Sequence, residues 1–364
     1  MLLVQITHNK KIYIVQKALG LARADEGEKM NNLPVIGILL GDSAGIGPEL
    51  VAKTAASGFL NSLCRPLVIG DKRIFENALS AINQKAEYYS IASAGEADWG
   101  RRTGIPILDQ KDQEPGAIRT GEVQEYCGKA VLNMIDVASE LCKKGVLAGF
   151  CFAPFNKAAM MAEGSRHESE HGLFAEIFGV KEPYCELNVL RSLMTTRATS
   201  HIPLKDVSSH LTVGVIMDAI TISHTTLCKM GLHKPRIAVA GLNPHNGESG
   251  HCGREEIDII APAVKIANGK GMDVAGPFSA DTVFIKAFAG EYDSVVTMYH
   301  DQGQIALKLM GFEEGVTVAG GMPYPITTPA HGTAFDIAGK GIARTSAFEN
   351  ALGLTVKMAS TGGI

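Results

Sequence analysis

From Pro34 onward, short apolar runs bounded by Gly, Asp, Asn and Pro alternate with stretches whose apolar positions recur every three or four residues. The first pattern marks a buried strand and the second an amphipathic helix, so the chain predicts strand and helix in alternation. PVIGILLGD (34–42) is such a strand run. The SAGIGPEL after it supplies glycines and a proline for a tight turn into a helix carrying Glu49, Leu50, Val51 and Ala52. PLVIGD (66–71) and IPILD (105–109) predict further short strands. Between Thr120 and Gly145, residues Val123, Cys127, Val131, Met134, Ile135, Ala138 and Leu141 keep helical spacing. Thr120 is the expected cap of that helix, and Lys143 and Lys144 suit the negative end of its dipole. A second helix is expected from about Val207 to Met230, followed by a strand over Arg236–Ala240. GVLAGFCFA and YDSVVTMY predict central strands of a mainly parallel sheet, and no internal repeat or low-complexity tract interrupts the pattern.

The fold class is therefore α/β. At 364 residues with 46% hydrophobic content, the chain is long enough for two sizeable cores, which predicts two α/β/α lobes. We expect the first over 34–160 plus 301–364 and the second over 161–300. Residues 1–33 fall outside the regular pattern and read as an N-terminal extension without a signal-peptide core, with Met30 a candidate start. A net charge of −4 and the lack of a basic block argue against a nucleic-acid or anionic-membrane surface, so the expected partner is a small molecule. Seven scattered cysteines with no Cys-x-x-Cys pair fit reduced thiols and a cytoplasmic setting, most of them as small core residues. No apolar run is long enough to span a membrane.

Candidate chemistry comes from three histidines, His201 (ATSHIPL), His245 (GLNPHNGE) and His300 (MYHDQGQ), each where a predicted strand gives way to a loop. A parallel α/β sheet gathers the carboxyl ends of its strands along one edge, where such folds bind ligands. Neutral imidazole is the commonest transition-metal ligand, and three with an open position suit a catalytic metal. A single histidine is more often a loop or hydrogen-bonding residue, so the expectation rests on the three together. Two glycine-containing stretches bear on a nucleotide. GDSAGIGPEL lacks the full Gly-x-Gly-x-x-Gly spacing and reads equally well as a plain strand-to-helix turn. In HGTAFDIAGKGIA (331–343), glycines allow close backbone approach, and His331 and Asp336 present polar edges suited to adenine and ribose.

GDSAGIGPEL, ATSHIPL, RIAVAGLNPHNGE, ADTVF, MYHDQGQIALKLMGF and HGTAFDIAGKGIA, in this order over roughly 34–360, resemble the 4-hydroxythreonine-4-phosphate dehydrogenase (PdxA) family. HGTAFDIAGKG alone is also similar to the isopropylmalate and isocitrate dehydrogenases. The resemblance implies an isocitrate/isopropylmalate dehydrogenase-like two-lobed fold and a homodimer with shared active sites. It also implies a divalent metal bound by histidines contributed across the dimer interface, and oxidation of a hydroxy acid by NAD or NADP. It matches His201, His245 and His300 to the metal ligands, His171 and Lys308 to substrate contacts, and His331, Gly332, Thr333, Ala334 and Asp336 to the cofactor loop.

Four positions depart from that pattern: Gly172 stands for a threonine, Thr317 for an asparagine, Ile326 for an arginine and Ser43 for a proline. Losing a forked cationic donor at Ile326 weakens a phosphate or carboxylate bound there by about 1.5–3 kcal/mol. The resemblance implies 4-hydroxythreonine-4-phosphate as substrate, and the departures favour a related phosphorylated sugar acid such as 4-phosphothreonate or 4-phosphoerythronate, with a cis-dihydrodiol carboxylate as the alternative. A cation lowers the cost of alkoxide character in the reacting hydroxyl, and oxidative decarboxylation follows where a carboxylate lies beta to the new ketone. Lys308, Asp281, Asp301 and Lys157 are the candidates for orienting substrate or moving its proton, with Asp301 alternatively orienting a ligand imidazole. Zn, Co or Ni suits three imidazoles, while Mg and Mn serve related folds. A metal-dependent hydrolase or aldolase, or a non-catalytic sugar-acid-binding protein, are the competing classes; the HGTAFDIAGKG loop argues against the first and the retained histidine ligands against the second.

Overall fold

The computed structural model describes residues 33–100, 103–167 and 169–361. Nearly all of the segment read as an N-terminal extension lies outside the described residues. The chain forms two compact units, the first reaching to Gly179 and resuming at Met322, the second spanning Val180–Gly321. The expected division placed 161–179 in the second lobe and 301–321 in the first; packing sets the boundaries later. A helix at Glu170–Phe178 packs against the long helix of the first unit. A helix at His300–Gly311 and a strand at Val316–Gly320 pack and pair with strands of the second.

Unit 1 has a six-stranded parallel sheet. Its strands are β1 (Val35–Leu39), β2 (Arg65–Gly70), β3 (Tyr88–Ile91), β4 (Ile105–Asp109), β5 (Gly149–Phe152) and, after the chain returns from unit 2, β12 (Ile326–Pro329). The order is β3-β4-β2-β1-β5-β12. β1, β2 and β5 are buried almost throughout, as continuous Val, Ile, Leu and Phe runs require when a parallel sheet is covered on both faces. The covering helices are α1 (Gly47–Ala56), α2 (Phe59–Leu63), α3 (Lys72–Ala81), α4 (Glu125–Lys143), α5 (Lys157–Ala162), α6 (Glu170–Phe178) and α12 (Ser346–Thr361). α4 begins at Glu125, not at Thr120. Gly121 sits at φ 81° and donates its N–H to Ala44 O at 2.8 Å, so Thr120 and Gly121 form a left-handed turn before the helix.

Unit 2 contains β6 (Cys185–Leu190), β7 (Leu193–Arg197), β8 (Arg236–Ala240), β9 (Asp273–Phe278), β10 (Ser294–Thr297) and β11 (Val316–Gly320) in the order β11-β6-β7-β10-β8-β9. β6 runs antiparallel to β7 and β11, and the remaining pairs are parallel. The mainly parallel expectation holds, with β6 the exception. The helix expected from Val207 to Met230 is two helices, α7 (Val207–His210) and α8 (Val213–Lys229), bent by 96°. Thr212 causes the break: it takes an extended backbone and its Oγ1 accepts the Val215 N–H at 3.1 Å, capping a new helix. α9 (Ala261–Gly269), α10 (Ala280–Phe288) and α11 (His300–Gly311) complete the unit. Cys64, Cys127, Cys142 and Cys151 are buried, as the small-core-residue reading expects, and Cys252 is exposed. Among the described residues no single helix is long and apolar enough to cross a membrane.

α4 and α5 cross so closely that a Cβ on Gly128 would lie 2.1 Å from Ala159 O. Gly128→Ala must therefore push two packed helices apart, and we expect it to lower unfolding free energy by about 3 kcal/mol in chemical denaturation.

Candidate active site

The three histidines belong to unit 2, and the sheet order explains how distant parts of the chain meet. β10 pairs in parallel with β7 on one side and β8 on the other, so all three strands point their carboxyl ends the same way. His201 follows β7, His245 follows β8 and His300 follows β10. The pairing extends past the strands: Ala198 N donates to Thr297 O at 2.8 Å, and Thr199 donates to Met298 O through both N (3.1 Å) and Oγ1 (2.7 Å). The His201 and His300 rings consequently lie with centroids 5.7 Å apart. Two imidazoles on one tetrahedral cation, at metal–nitrogen distances of about 2.0–2.1 Å, have centroids roughly 5 Å apart, so this pair fits a shared ion. Both rings line a cavity of about 270 Å³ together with Tyr299 and Asp301.

Asp301 lies beside the His300 ring. Its Oδ1 lies 2.7 Å from His300 Nδ1, so this contact engages one ring nitrogen and not Nε2. His245 lies on a different kind of support. Residues His245, Asn246, Gly247, Glu248 and Ser249 all have positive φ, between 44° and 77°, giving a left-handed turn that costs energy at each non-glycine position. Glu256, 2% exposed, holds this loop from beneath. Its Oε1 accepts the N–H groups of Leu242 and Asn243, both at 2.7 Å, and its Oε2 accepts Asn243 Nδ2 at 3.0 Å. Gln302 joins the loop base to α11, donating to Gly241 O at 2.8 Å while accepting Met298 N–H at 2.7 Å. His201 is also left-handed, at φ 54°. Within one chain, no group of three or more His, Cys, Asp or Glu among the described residues is placed to hold a metal. The structure thus brings two of the three expected ligands together and sets the third on the neighbouring strand end.

Lys308 lies exposed on α11, two turns beyond His300, with Nζ 6.0 Å from the Phe312 ring centre. Asp281 is exposed in the first turn of α10, after β9 at the same carboxyl edge. Thr317 on β11 accepts Asn188 Nδ2 at 3.2 Å. The sequence reading missed Glu256, Gln302 and Asn188, because a Glu, Gln or Asn carries no periodic mark of burial.

Unit 1 carries the cofactor-loop candidates. Thr333 O accepts Ile46 N–H at 3.0 Å, and a Cβ on Gly45 would meet Thr333 at 2.9 Å, so the GDSAGIGPEL turn is pressed onto the loop as a support. His331 Nδ1 is 3.0 Å from Gly332 O, Ala334 is left-handed at φ 44°, and Asp336 is exposed. The later part of the loop is clamped to α1: Glu49 accepts the N–H groups of Gly341 (3.2 Å) and Ala343 (2.7 Å), and Lys53 donates to the carbonyls of both. A groove of about 160 Å³ runs beside it, lined by Ile74, Asn77, Ala78, Thr120 and Gly339 among others. His171 is buried in the first turn of α6, which Ser169 caps by accepting Gly172 N–H. A Cβ on Gly172 would meet His167 Nδ1 at 3.0 Å, a tight approach that the His167 side chain would have to relieve. Ser43 accepts Gln113 Nε2 at 2.6 Å, a bond proline cannot make. Ile326 is fully buried in β12 and presents no polar group to a ligand. Lys157 pairs with Glu170 at 3.3 Å.

These features agree with the comparisons. A family model described as "Pyridoxal phosphate biosynthetic protein PdxA" matches residues 62–355. "Putative 4-hydroxythreonine-4-phosphate dehydrogenase 2" of Rhizobium meliloti is 42% identical over 328 residues, covering 90% of this chain and 93% of that protein. "Putative D-threonate 4-phosphate dehydrogenase" of Symbiobacterium thermophilum is 37% identical, covering 91% and 98%. A crystal structure of 4-hydroxythreonine-4-phosphate dehydrogenase from Klebsiella pneumoniae superposes with a TM-score of 0.81 at 37% identity, covering 90% of this chain and 98% of that one. The protein is an α/β enzyme of the dehydrogenase class. It belongs to the PdxA family.

One buried group in unit 1 yields a pH prediction. Asp42, at the end of the β1 run, is 0% exposed; burial raises its pKa to about 6 despite the Ala44 N–H it accepts, and its Oδ2 has no partner. The folded protein holds this proton to higher pH than the unfolded chain does. The carboxyl's contribution to stability is therefore full below about pH 4 and lost as pH rises through 6. Asp42→Asn should match the parent near pH 4 and exceed it at pH 8 by up to about 3 kcal/mol, read from thermal or urea unfolding at the two pH values.

Proposed function

We propose that this enzyme oxidises the secondary hydroxyl of a phosphorylated four-carbon hydroxy acid, such as 4-hydroxythreonine-4-phosphate, 4-phosphothreonate or 4-phosphoerythronate, with NAD or NADP as acceptor and a divalent cation at the histidine edge of unit 2. The observation that carries this reading is the His201–His300 pair, 5.7 Å apart with Asp301 orienting one ring, on a chain whose relatives bear dehydrogenase names. A bound cation supplies Lewis acidity toward the reacting hydroxyl, and the nicotinamide supplies the hydride acceptor. The chain's own part is to present the imidazoles of His201 and His300, the latter oriented by the Asp301 contact, and to add His245 as the third. Lys308, two turns along α11 from His300, is assigned to the charged end of the substrate, and His171 to its hydroxyls. Residues 331–336 are assigned to the nucleotide. With Ile326 apolar and Thr317 engaged by Asn188, the phosphate is held mainly by lysine, which favours the phosphorylated acids as a class over one tightly forked phosphate site.

We further assign a homodimer, in which a partner copy completes each cation site. Unit 2 exposes Leu204, Ile285, Ile305, Leu309 and Phe312, and Leu309 is 83% exposed, an apolar display suited to burial against a second copy.

Reduced-cofactor absorbance with the cation-loaded protein and a panel of phosphorylated four-carbon acids tests the reaction. We expect turnover with at least one member, and His245→Ala should lose cation and activity together. Hydrolysis or cleavage of a panel member without cofactor reduction would refute the dehydrogenase assignment. In sedimentation velocity the parent should run as a dimer and Leu309→Glu as a monomer with reduced activity. A monomeric, fully active parent refutes the shared site.

A further inference from the structure

The His201 and His300 rings are both partly solvent-exposed, so neither is fixed by being packed in a core. Their spacing must be set by what holds the backbones that carry them. Arg197, the last residue of β7, is linked to both through its hydrogen-bond partners. Its side chain is only 4% exposed and makes contacts in three directions. Nε donates to Ser200 Oγ at 2.9 Å, Nη1 donates to Asn188 Oδ1 at 2.9 Å, and Nη2 lies 3.0 Å from Glu186 Oε2. Asn188 Oδ1 also accepts Gln304 Nε2 at 2.5 Å. Ser200 directly precedes His201. Gln304 lies four residues after His300 on α11, hence on the same helix face. A continuous hydrogen-bonded chain therefore runs from the residue before one imidazole, through a buried guanidinium and a shared amide oxygen, to the helical turn that carries the other.

We propose that Arg197, acting through Asn188, is a positioning residue that sets the separation of the His201 and His300 rings for a common divalent cation. This rests on the cation reading of the same histidines. Glu186 neutralises the guanidinium, so its charge needs no ligand, and the planar fork explains arginine: it holds the donors to Ser200 and Asn188 in fixed directions, where an ammonium's donors rotate freely. Backbone pairing of β7 with β10 aligns the strands, but α11 begins beyond them, and Gln304 ties its first turns to the floor of the sheet.

The test is calorimetric titration of the full-length protein with Zn²⁺ and Co²⁺, with the visible Co²⁺ spectrum as a readout of coordination geometry. Arg197→Lys keeps the charge and loses the fork. Gln304→Met removes only the tie to α11, at similar volume. We expect each to weaken cation binding at least tenfold and to alter the Co²⁺ bands, with the melting temperature of Gln304→Met within a few degrees of the parent. Ser223→Ala removes the buried Ser223–Ser294 hydrogen bond at the opposite end of β10 and serves as the control, with lowered stability and unchanged cation affinity. Cation affinity within twofold of the parent and an unchanged Co²⁺ spectrum in both Arg197→Lys and Gln304→Met would overturn the positioning role. A parent protein that binds neither ion overturns the cation site itself, and this inference with it.

Discussion

Parallel pairing of β10 with β7 and β8 is the constraint on which the candidate site depends. Adjacent strands lie about 4.8 Å apart, and only strands of the same direction deliver their following loops to the same edge. Were β10 antiparallel to either neighbour, His300 would sit a full strand length from His201 or His245. Instead, hydrogen bonds continue beyond the last strand residues, from Ala198 and Thr199 to Thr297 and Met298, and bring two rings within 5.7 Å. The chemistry of this edge is thus a product of sheet topology first and of side-chain identity second.

Side chains do the remaining local work, and the buried charged ones fall into two kinds. Glu256 and Glu49 are each surrounded by backbone N–H groups that a loop leaves unpaired, one under the His245 turn and the other under the 341–343 segment. Such a carboxylate substitutes for the partners a regular element would have provided, and it lets a strained or irregular loop persist. Asp42 is of the other kind, with one oxygen on Ala44 N–H and the second orphaned. It destabilises the fold at neutral pH where the two glutamates stabilise it. The difference lies in how many donors each meets, not in how deeply each is buried.

Much of this was legible in the sequence. Apolar runs located β1, β2, β4, β5, β8 and β10, because a strand buried on both faces must be apolar throughout. The His245 and His300 loops were legible because each follows such a run, and His201 through the resemblance that its ATSHIPL segment carries. The β6–β7 hairpin was not: Asn188, Thr195 and Arg197 interrupt its apolar pattern, and they do so because they pair with one another and with α11 across the sheet. The α4 start and the break at Thr212 were missed for a related reason. Gly121 is set by its bond to Ala44, a contact remote in sequence, and Thr212 competes as a cap within an otherwise unbroken helical pattern. The departure at Ser43 also gained a reason only from its neighbour, Gln113.

Unit 1 is assembled from two separated stretches of chain, with all of unit 2 inserted between Gly179 and Met322. Its sixth strand, β12, pairs with β5, and Thr327 on that strand bonds to Ala351 O and Thr355 of the closing helix. On a ribosome, unit 2 emerges complete while unit 1 still lacks one edge of its sheet and the helix that covers it. The nascent first unit must therefore wait with β5 uncovered, the kind of open edge to which chaperones bind, until translation delivers the remainder.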